Sequence, residues 1–314
     1  SNPMETKSNF FLSSNTWSDY ALLDSGEGMK LERFGSNILA RPEPSAIWKR
    51  GLSKDVWDAA DGIFRGADSP DGGDDHKGKW VFKKNLESRW QMGWRSVSVA
   101  GEAEPNISFL VEPTPFRHVG VFPEQASQWE WIYGKIKTAK HPVSVLNLFG
   151  YTGIASLVAA AAGADVTHVD ASKKIIQRAA ENQKLSGLHS GSIRWIIDDA
   201  LKFVRREVRR GATYDGFIID PPKFGRGPKN EVWKIYEDLP LLLDECQKLF
   251  SGTMLFINLT CYAIRITPLS LGYALEERLG GGRGVVEHGE LTLREQSSGR
   301  LLPEAACARW SASS

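Results

Sequence analysis

Residues 214–227 read YDGFIIDPPKFGRG, an apolar run that ends in an acid followed at once by two prolines. Proline has no N–H and fixes its own φ, so the pair cannot extend a sheet ladder, and the residue before it is pushed into an extended conformation. A strand is therefore expected to stop at Asp220 with its carboxylate held at the strand end. Taken alone, the run fits any rigid loop after a core strand. The residues on either side make it one of a series.

From His141 onward, strand-like and helix-like patterns alternate. VSVLNLF (143–149) is a continuous apolar strand, followed by a GYTG turn and the small-residue helix IASLVAAAA. DVTHVD (165–170) is a second strand, and Ser172 caps a helix that ends at Gly187. SIRWII, the helix ALKFVRREVRR, the strand ending at Asp220, a helical stretch interrupted by Pro240 and the strand TMLFINL complete the series, with Cys261 just past the last strand. Such alternation predicts an α/β fold, a parallel sheet covered by helices.

Ligands of open parallel sheets bind outside the carboxyl ends of the strands. Each strand here gives way to polar or glycine-rich residues: Gly150, Tyr151, Thr152 and Gly153, then Asp170, then Asp198 and Asp199, then Asp220, Pro221, Pro222 and Lys223, then Thr260 and Cys261. Asp170 comes after the glycine turn at close to the ~20-residue spacing of an acid that binds a ribose diol. The turn reads FGYTG and lacks the full G-x-G-x-x-G, so a dinucleotide such as NAD is poorly supported and a nucleoside without a pyrophosphate fits better. That points to S-adenosylmethionine, with Asp170 on the ribose and Asp199 accepting from the adenine amino group.

The segments VLNLFGYTGIASL, VTHVDASKKIIQRAAENQKLSGL, IIDDALKFV and YDGFIIDPPKFGRG together resemble the class I S-adenosylmethionine-dependent methyltransferases. The branch they are most similar to holds the ribosomal RNA large-subunit methyltransferases that make 5-methylcytosine. The resemblance covers roughly residues 116–261. It implies a Rossmann-like mixed sheet with helices on both faces and an S-adenosylmethionine site. Phe149, Gly150, Tyr151, Thr152 and Gly153 would pass the methionine moiety, Asp170, Ala171 and Ser172 the ribose, and Asp199 and Ala200 the adenine. The segment FRHVGVFPEQ (116–125) resembles the part that closes over the cofactor, which makes Gln125 a contact. Asp220 and Pro221 would lie beside the methyl group, with Asp220 and Lys223 as catalytic candidates. For a cytosine C5 acceptor, Cys261 would be the thiolate that adds to C6. The bland alternative for Cys261 is a small buried apolar residue.

Residues 1–115 have a different texture and are expected to form a smaller β-rich domain concerned with substrate recognition, with 116–314 as the methyltransferase domain. Six of the eleven tryptophans lie there, Trp17, Trp48, Trp57, Trp80, Trp90 and Trp94, between short alternating runs and turn residues. The acidic stretch 66–78 reads as a surface loop. A net charge of +1, with 41% hydrophobic and 25% charged residues, gives no global pull toward nucleic acid, so an RNA site must be local. Three scattered cysteines suggest neither a disulfide framework nor a metal site, and fit a reducing, cytoplasmic setting. The opening Ser-Asn-Pro before Met4 reads as an expression remnant, and no run is long enough to span a bilayer. Arg205, Arg206, Arg209 and Arg210 read as a solvated helix end, and His118 and His141 as structural. Trp129 and Trp131 could stack on a base or fill a core. The acceptor reading is RNA, with ribosomal cytosine as its sharpest form. A protein or small-molecule acceptor and a non-catalytic module with a retained fold are the alternatives, and oligomeric state is not written in the sequence.

Overall fold

A computed structural model describes residues 5–12, 17–66, 78–83, 85–97, 106–263, 265–279 and 284–313. The opening Ser-Asn-Pro and almost all of the acidic stretch 66–78 lie outside the described residues.

The N-terminal region begins with β1 (Glu5–Leu12). A five-stranded sheet comes next: β2 (Tyr20–Gly26), β3 (Met29–Phe34), β4 (Asn37–Pro42), β5 (Gly62–Gly66) and β6 (Gly78–Phe82), in that spatial order, with the short helix α1 (Lys54–Asp58) between β4 and β5. Two more strands, β7 (Trp90–Trp94) and β8 (Ile107–Val111), pair with each other. The rest alternates: α2 (Ala126–Lys137), β9 (Ser144–Leu148), α3 (Ile154–Ala161), β10 (Asp165–Asp170), α4 (Lys173–Leu185), β11 (Ile193–Ile197), α5 (Ala200–Arg209) and β12 (Gly216–Ile219). A small hairpin of β13 (Phe224–Arg226) and β14 (Val232–Lys234) precedes α6 (Ile235–Gln247) and β15 (Phe256–Cys261). The chain closes with α7 (Pro268–Leu279) and the long antiparallel pair β16 (Gly284–Arg294) and β17 (Leu301–Ala312).

The large sheet has the order β1-β16-β17-β15-β12-β9-β10-β11. Its neighbours are parallel except where β17 meets β15 and β16. The sheet is therefore mixed, and β1, which precedes the β-rich region in sequence, is one of its two edge strands, β11 being the other. Successive side chains of a strand point to opposite faces. Val145 and Ile218 accordingly join the core built on α2 and α3, while Leu146, Leu148, Phe217 and Ile219 join the core built on α5, α6 and α7. Burial on both faces explains why these strands read as continuous apolar runs.

Pro240 does not interrupt a helix. It lies inside α6 on the exposed side, and the helical donor it removes would have served Tyr236 in the exposed first turn, where water can take its place. The β-rich region and the large sheet share one aromatic core. Trp129 of α2 is 3% exposed and packs edge-on against Trp17 (5.5 Å), Trp94 (5.8 Å) and Phe109 (6.4 Å). Trp129 is thus a core residue, and Trp131 lies under the Arg309 guanidinium at 4.7 Å.

Behind this core, the fully buried Glu32 carboxylate accepts from Arg41 Nε (2.6 Å), Arg41 Nη2 (3.1 Å) and the Tyr20 hydroxyl (2.7 Å). Removing one partner of such a pair strands the other in a low-dielectric interior. Glu32→Ala is expected to cost ~3–5 kcal/mol in urea unfolding, and Glu32→Leu with Arg41→Met much less. Equal losses for the two proteins would refute the buried pair as the cause.

Candidate functional site

The carboxyl ends of β9, β10, β11, β12 and β15 form one rim. After β9 the backbone turns sharply: Phe149 and Tyr151 adopt φ of 57° and 54°, and Gly153, at φ 86°, caps α3. Non-glycine residues in this region are costly and persist where the surroundings over-determine them, commonly at functional turns. Gly150 is required on steric grounds, because a Cβ there would lie 2.1 Å from His168 Cε1. His168 is fully buried, with its pKa pushed down to about 3 by that burial, and its Nδ1 lies 2.8 Å from the Ser156 hydroxyl.

Asp170 ties two turns together. Its Oδ2 accepts from the Tyr151 N–H (3.0 Å) and its Oδ1 from the Ser172 N–H (2.9 Å), while the Ser172 hydroxyl caps α4 by accepting from the Ile175 N–H (3.3 Å). Burial raises the Asp170 carboxyl above its ordinary range, and the backbone donors oppose that rise. A carboxylate offers about four lone-pair positions, so these backbone bonds leave room for a ligand hydroxyl. Ala171, between the two turns, is half-buried.

At the next strand end, Asp199 caps α5 by accepting from the Lys202 N–H (2.9 Å), and the buried Ala200 begins that helix. Burial raises Asp199 as well. Asp198 instead accepts from the Asp199 N–H and pairs with Arg206 at 2.9 Å, and Arg210 pairs with Glu207, so two of the four arginines here are engaged by nearby carboxylates.

Asp220 stands just after β12. Desolvation, then the neighbouring Glu124, pushes its pKa up to about 8. Glu124 is 2% exposed and itself raised by burial, and it accepts from the Tyr262 hydroxyl at 2.7 Å. Gln125 donates from Nε2 to the same hydroxyl at 3.1 Å. The Phe122 ring lies 5.3 Å from Tyr151, 5.7 Å from Tyr262 and 5.3 Å from His118. The segment 116–125 is therefore joined to the rim through its aromatic rings and Glu124, with Gln125 facing Tyr262. It is also joined through Thr152, whose hydroxyl donates to the Gly120 carbonyl at 2.7 Å and is thus turned away from the open side.

No sequence pattern marks Glu124, Phe122 or Tyr262 as site residues. The one signal for Glu124 is an acid directly after the apolar VFP, but its partner lies in another part of the chain. Cys261 is the last residue of β15 rather than a residue beyond it, and is 1% exposed. Desolvation first, and Asp220 second, push its thiol up. Pro221 is buried and Lys223 exposed, and the Pro222 carbonyl accepts from the Trp233 indole at 2.7 Å. That bond anchors the β13–β14 hairpin, which the sequence pattern does not announce. No cluster of three or more His, Cys, Asp or Glu that could hold a metal occurs among the described residues.

A sheet with these strand ends, a glycine turn and an acid after the second strand defines a nucleoside-binding α/β enzyme. Residues 104–261, half of the chain, match the family described as S-adenosylmethionine-dependent methyltransferase, and the chain belongs to that family. A solved structure of an S-adenosylmethionine-dependent methyltransferase from Agrobacterium tumefaciens is 44% identical, with a TM-score of 0.87 over 100% of this chain and 97% of that one. Another, solved with S-adenosylhomocysteine, is 18% identical, with a TM-score of 0.67 over 94% of this chain and 76% of that one, and shows the shared fold. Among curated relatives, ribosomal RNA large subunit methyltransferase I of Shewanella amazonensis is 31% identical over 45% of this chain and 35% of its own length. Ribosomal RNA large subunit methyltransferase K/L of Shewanella frigidimarina is 33% identical over 52% of this chain and 23% of its own length. The match thus spans about a quarter to a third of these relatives. The cofactor is S-adenosylmethionine, which supplies an electrophilic methyl group on sulfur. The strained 149–153 turn, closed to side chains at Gly150, and the acceptor capacity left on Asp170 fit such a nucleoside.

The Asp220 shift carries a consequence for stability. With its folded pKa raised above the unfolded value, Asp220 keeps a proton that the unfolded chain has lost between about pH 4 and 8. Its contribution is full below that window and falls as pH rises through it, by up to ~1.4 kcal/mol per pH unit. Asp220→Asn removes this slope. The melting temperature of Asp220→Asn relative to the unsubstituted protein is expected to rise between pH 5 and 8.5, and a constant difference would show that the carboxyl is ordinary.

Proposed function

We propose that this chain transfers the methyl group of S-adenosylmethionine to a base of RNA, most sharply to C5 of a ribosomal cytosine. The observation that carries the reading is the convergence of Asp220 and Cys261. β12 and β15 are neighbours with Ile219 opposite Leu259, so the two residues leave adjacent strand ends. The similarity of this region to ribosomal RNA methyltransferases supports the acceptor class. An RNA acceptor implies a cytoplasmic place of action.

In this reading, Asp170 with Ala171 and Ser172 receives the ribose, Asp199 and Ala200 the adenine, and the 149–153 turn with Gln125 and Pro221 the methionine end. Asp220, protonated below about pH 8, hydrogen-bonds the acceptor ring, with Lys223 at its outer edge. C5 of cytosine is a poor nucleophile, and a bond from Cys261 sulfur to C6 makes C5 electron-rich enough to attack the methyl group. Water at the rim then takes the C5 proton, the C–H electron pair restores the ring double bond, and the carbon–sulfur bond breaks with its pair returning to sulfur. The buried thiol is protonated in the free protein, so its proton must pass to a base when the ring enters. The β-rich region that follows β1 helps choose the acceptor, its loops being the natural place for such contacts, while β1 itself belongs to the large sheet.

Tritiated cofactor offered with separate RNA, protein and small-molecule pools tests the acceptor, and label confined to RNA is expected. Asp170→Ala should weaken S-adenosylhomocysteine binding by ~1–3 kcal/mol in calorimetry. Cys261→Ala should abolish methylation with cofactor binding intact, and 5-fluorocytosine in the RNA should trap a covalent adduct, because fluorine cannot leave as the C5 proton does. Full transfer by Cys261→Ala would end the C5 version and leave the methyltransferase intact.

A further inference from the structure

The β13–β14 hairpin begins four residues past Asp220 and has two dissimilar faces. Its register places Phe224 opposite Lys234 and Arg226 opposite Val232, and alternation sends these four side chains to one side and Trp233 to the other. The inner side is fixed. Trp233 is 4% exposed, packs on the Phe149 ring at 4.9 Å and donates to the Pro222 carbonyl. The Ile235 N–H donates to the Lys223 carbonyl at 3.1 Å, and Glu231 at the turn pairs with Lys202 of α5 at 2.6 Å.

The outer side is open and apolar at its centre. Phe224 and Val232 are 50% and 47% exposed, and Tyr236, in the first turn of α6, is 50% exposed. Cations surround them: Lys223, Arg226, Lys229 and Lys234 are all exposed. Among the described residues the side chains of Lys223, Arg226 and Lys229 form no ion pair, although the Lys229 backbone N–H donates to Glu231 at 2.8 Å, and the Lys234 ammonium pairs with the exposed Glu237 at 3.5 Å. The Arg226 guanidinium stands 6.0 Å from the Phe224 ring centre.

We propose that this hairpin face is a docking platform for a single-stranded RNA segment flanking the methylated base, stacking a neighbouring base on Phe224 and meeting phosphates with Arg226 and Lys229. Exposed aromatics interleaved with unpaired cations match what sequence-tolerant single-strand binding requires. The bond from Trp233 to the Pro222 carbonyl holds the platform at a set distance from Asp220. The net charge of +1 requires an RNA site to be local, and Lys223, Arg226, Lys229 and Lys234 lie together on this face. The proposal rests on the RNA reading above.

The test uses the full chain and two probes, a fluorescein-labelled 20-nucleotide single-stranded RNA of mixed sequence and S-adenosylhomocysteine. Phe224→Ala is expected to weaken RNA binding about tenfold, and Phe224→Trp to restore it. Arg226→Gln with Lys229→Gln should lower the slope of log affinity against log salt by about 0.7 for each phosphate that is no longer neutralised. Affinity for S-adenosylhomocysteine should be unchanged in all of them, which shows the variants folded. If the unsubstituted protein binds RNA and the variants bind it equally well with the same salt slope, the platform is refuted and the RNA reading stands. If the unsubstituted protein binds the cofactor product but no RNA, both fall.

Discussion

The structure depends on a constraint of burial. The central strands of the large sheet are covered on both faces, so polar chemistry is confined to one edge, where the strands run out of ladder partners. The acids, hydroxyls and thiol that desolvation raises at the site, among them Asp170, Asp199, Asp220, Glu124, Cys261 and Tyr262, lie at that edge or are packed onto it. Two prolines after Asp220 sharpen the edge by denying β12 further donors. The same dry environment that shapes the site also sets the protonation of its acids.

Local pattern and distant partnership divide what the sequence could and could not convey. The strands from β9 to β12 and helices α3 to α5 were legible because each carries its own periodicity, with Ser172 marking the start of α4. The positions of Asp170 and Asp220 followed from the strands that end in them. The contact of Tyr262 with Glu124 was not legible, because the residues are far apart in sequence and meet only when the 116–125 segment folds onto the rim. The β13–β14 hairpin escaped for another reason: three-residue strands leave too short a pattern to separate from a loop. Pro240 misled because a proline's effect depends on which carbonyl it abandons, and here that carbonyl faces water.

Trp129 settles a choice that composition left open. Placed on α2 and surrounded by Trp17, Trp94 and Phe109, it joins the β-rich region to the large sheet through a single aromatic cluster. Aromatic rings packed edge to face resist sliding. A lobe seated in this way is held at a set orientation to the rim.

The pairing of β1 with β16 has a consequence in time. Residues 5–12 reach their partners only across nearly the whole length of the chain, at residues 285–292. Closing so long a loop costs entropy that no local contact offsets, and contacts of such sequence separation form late. During synthesis the first strand therefore waits unpaired until the last hairpin has emerged. The β1 edge of the large sheet is completed at the close of folding, after the strands that carry the cofactor site have already assembled.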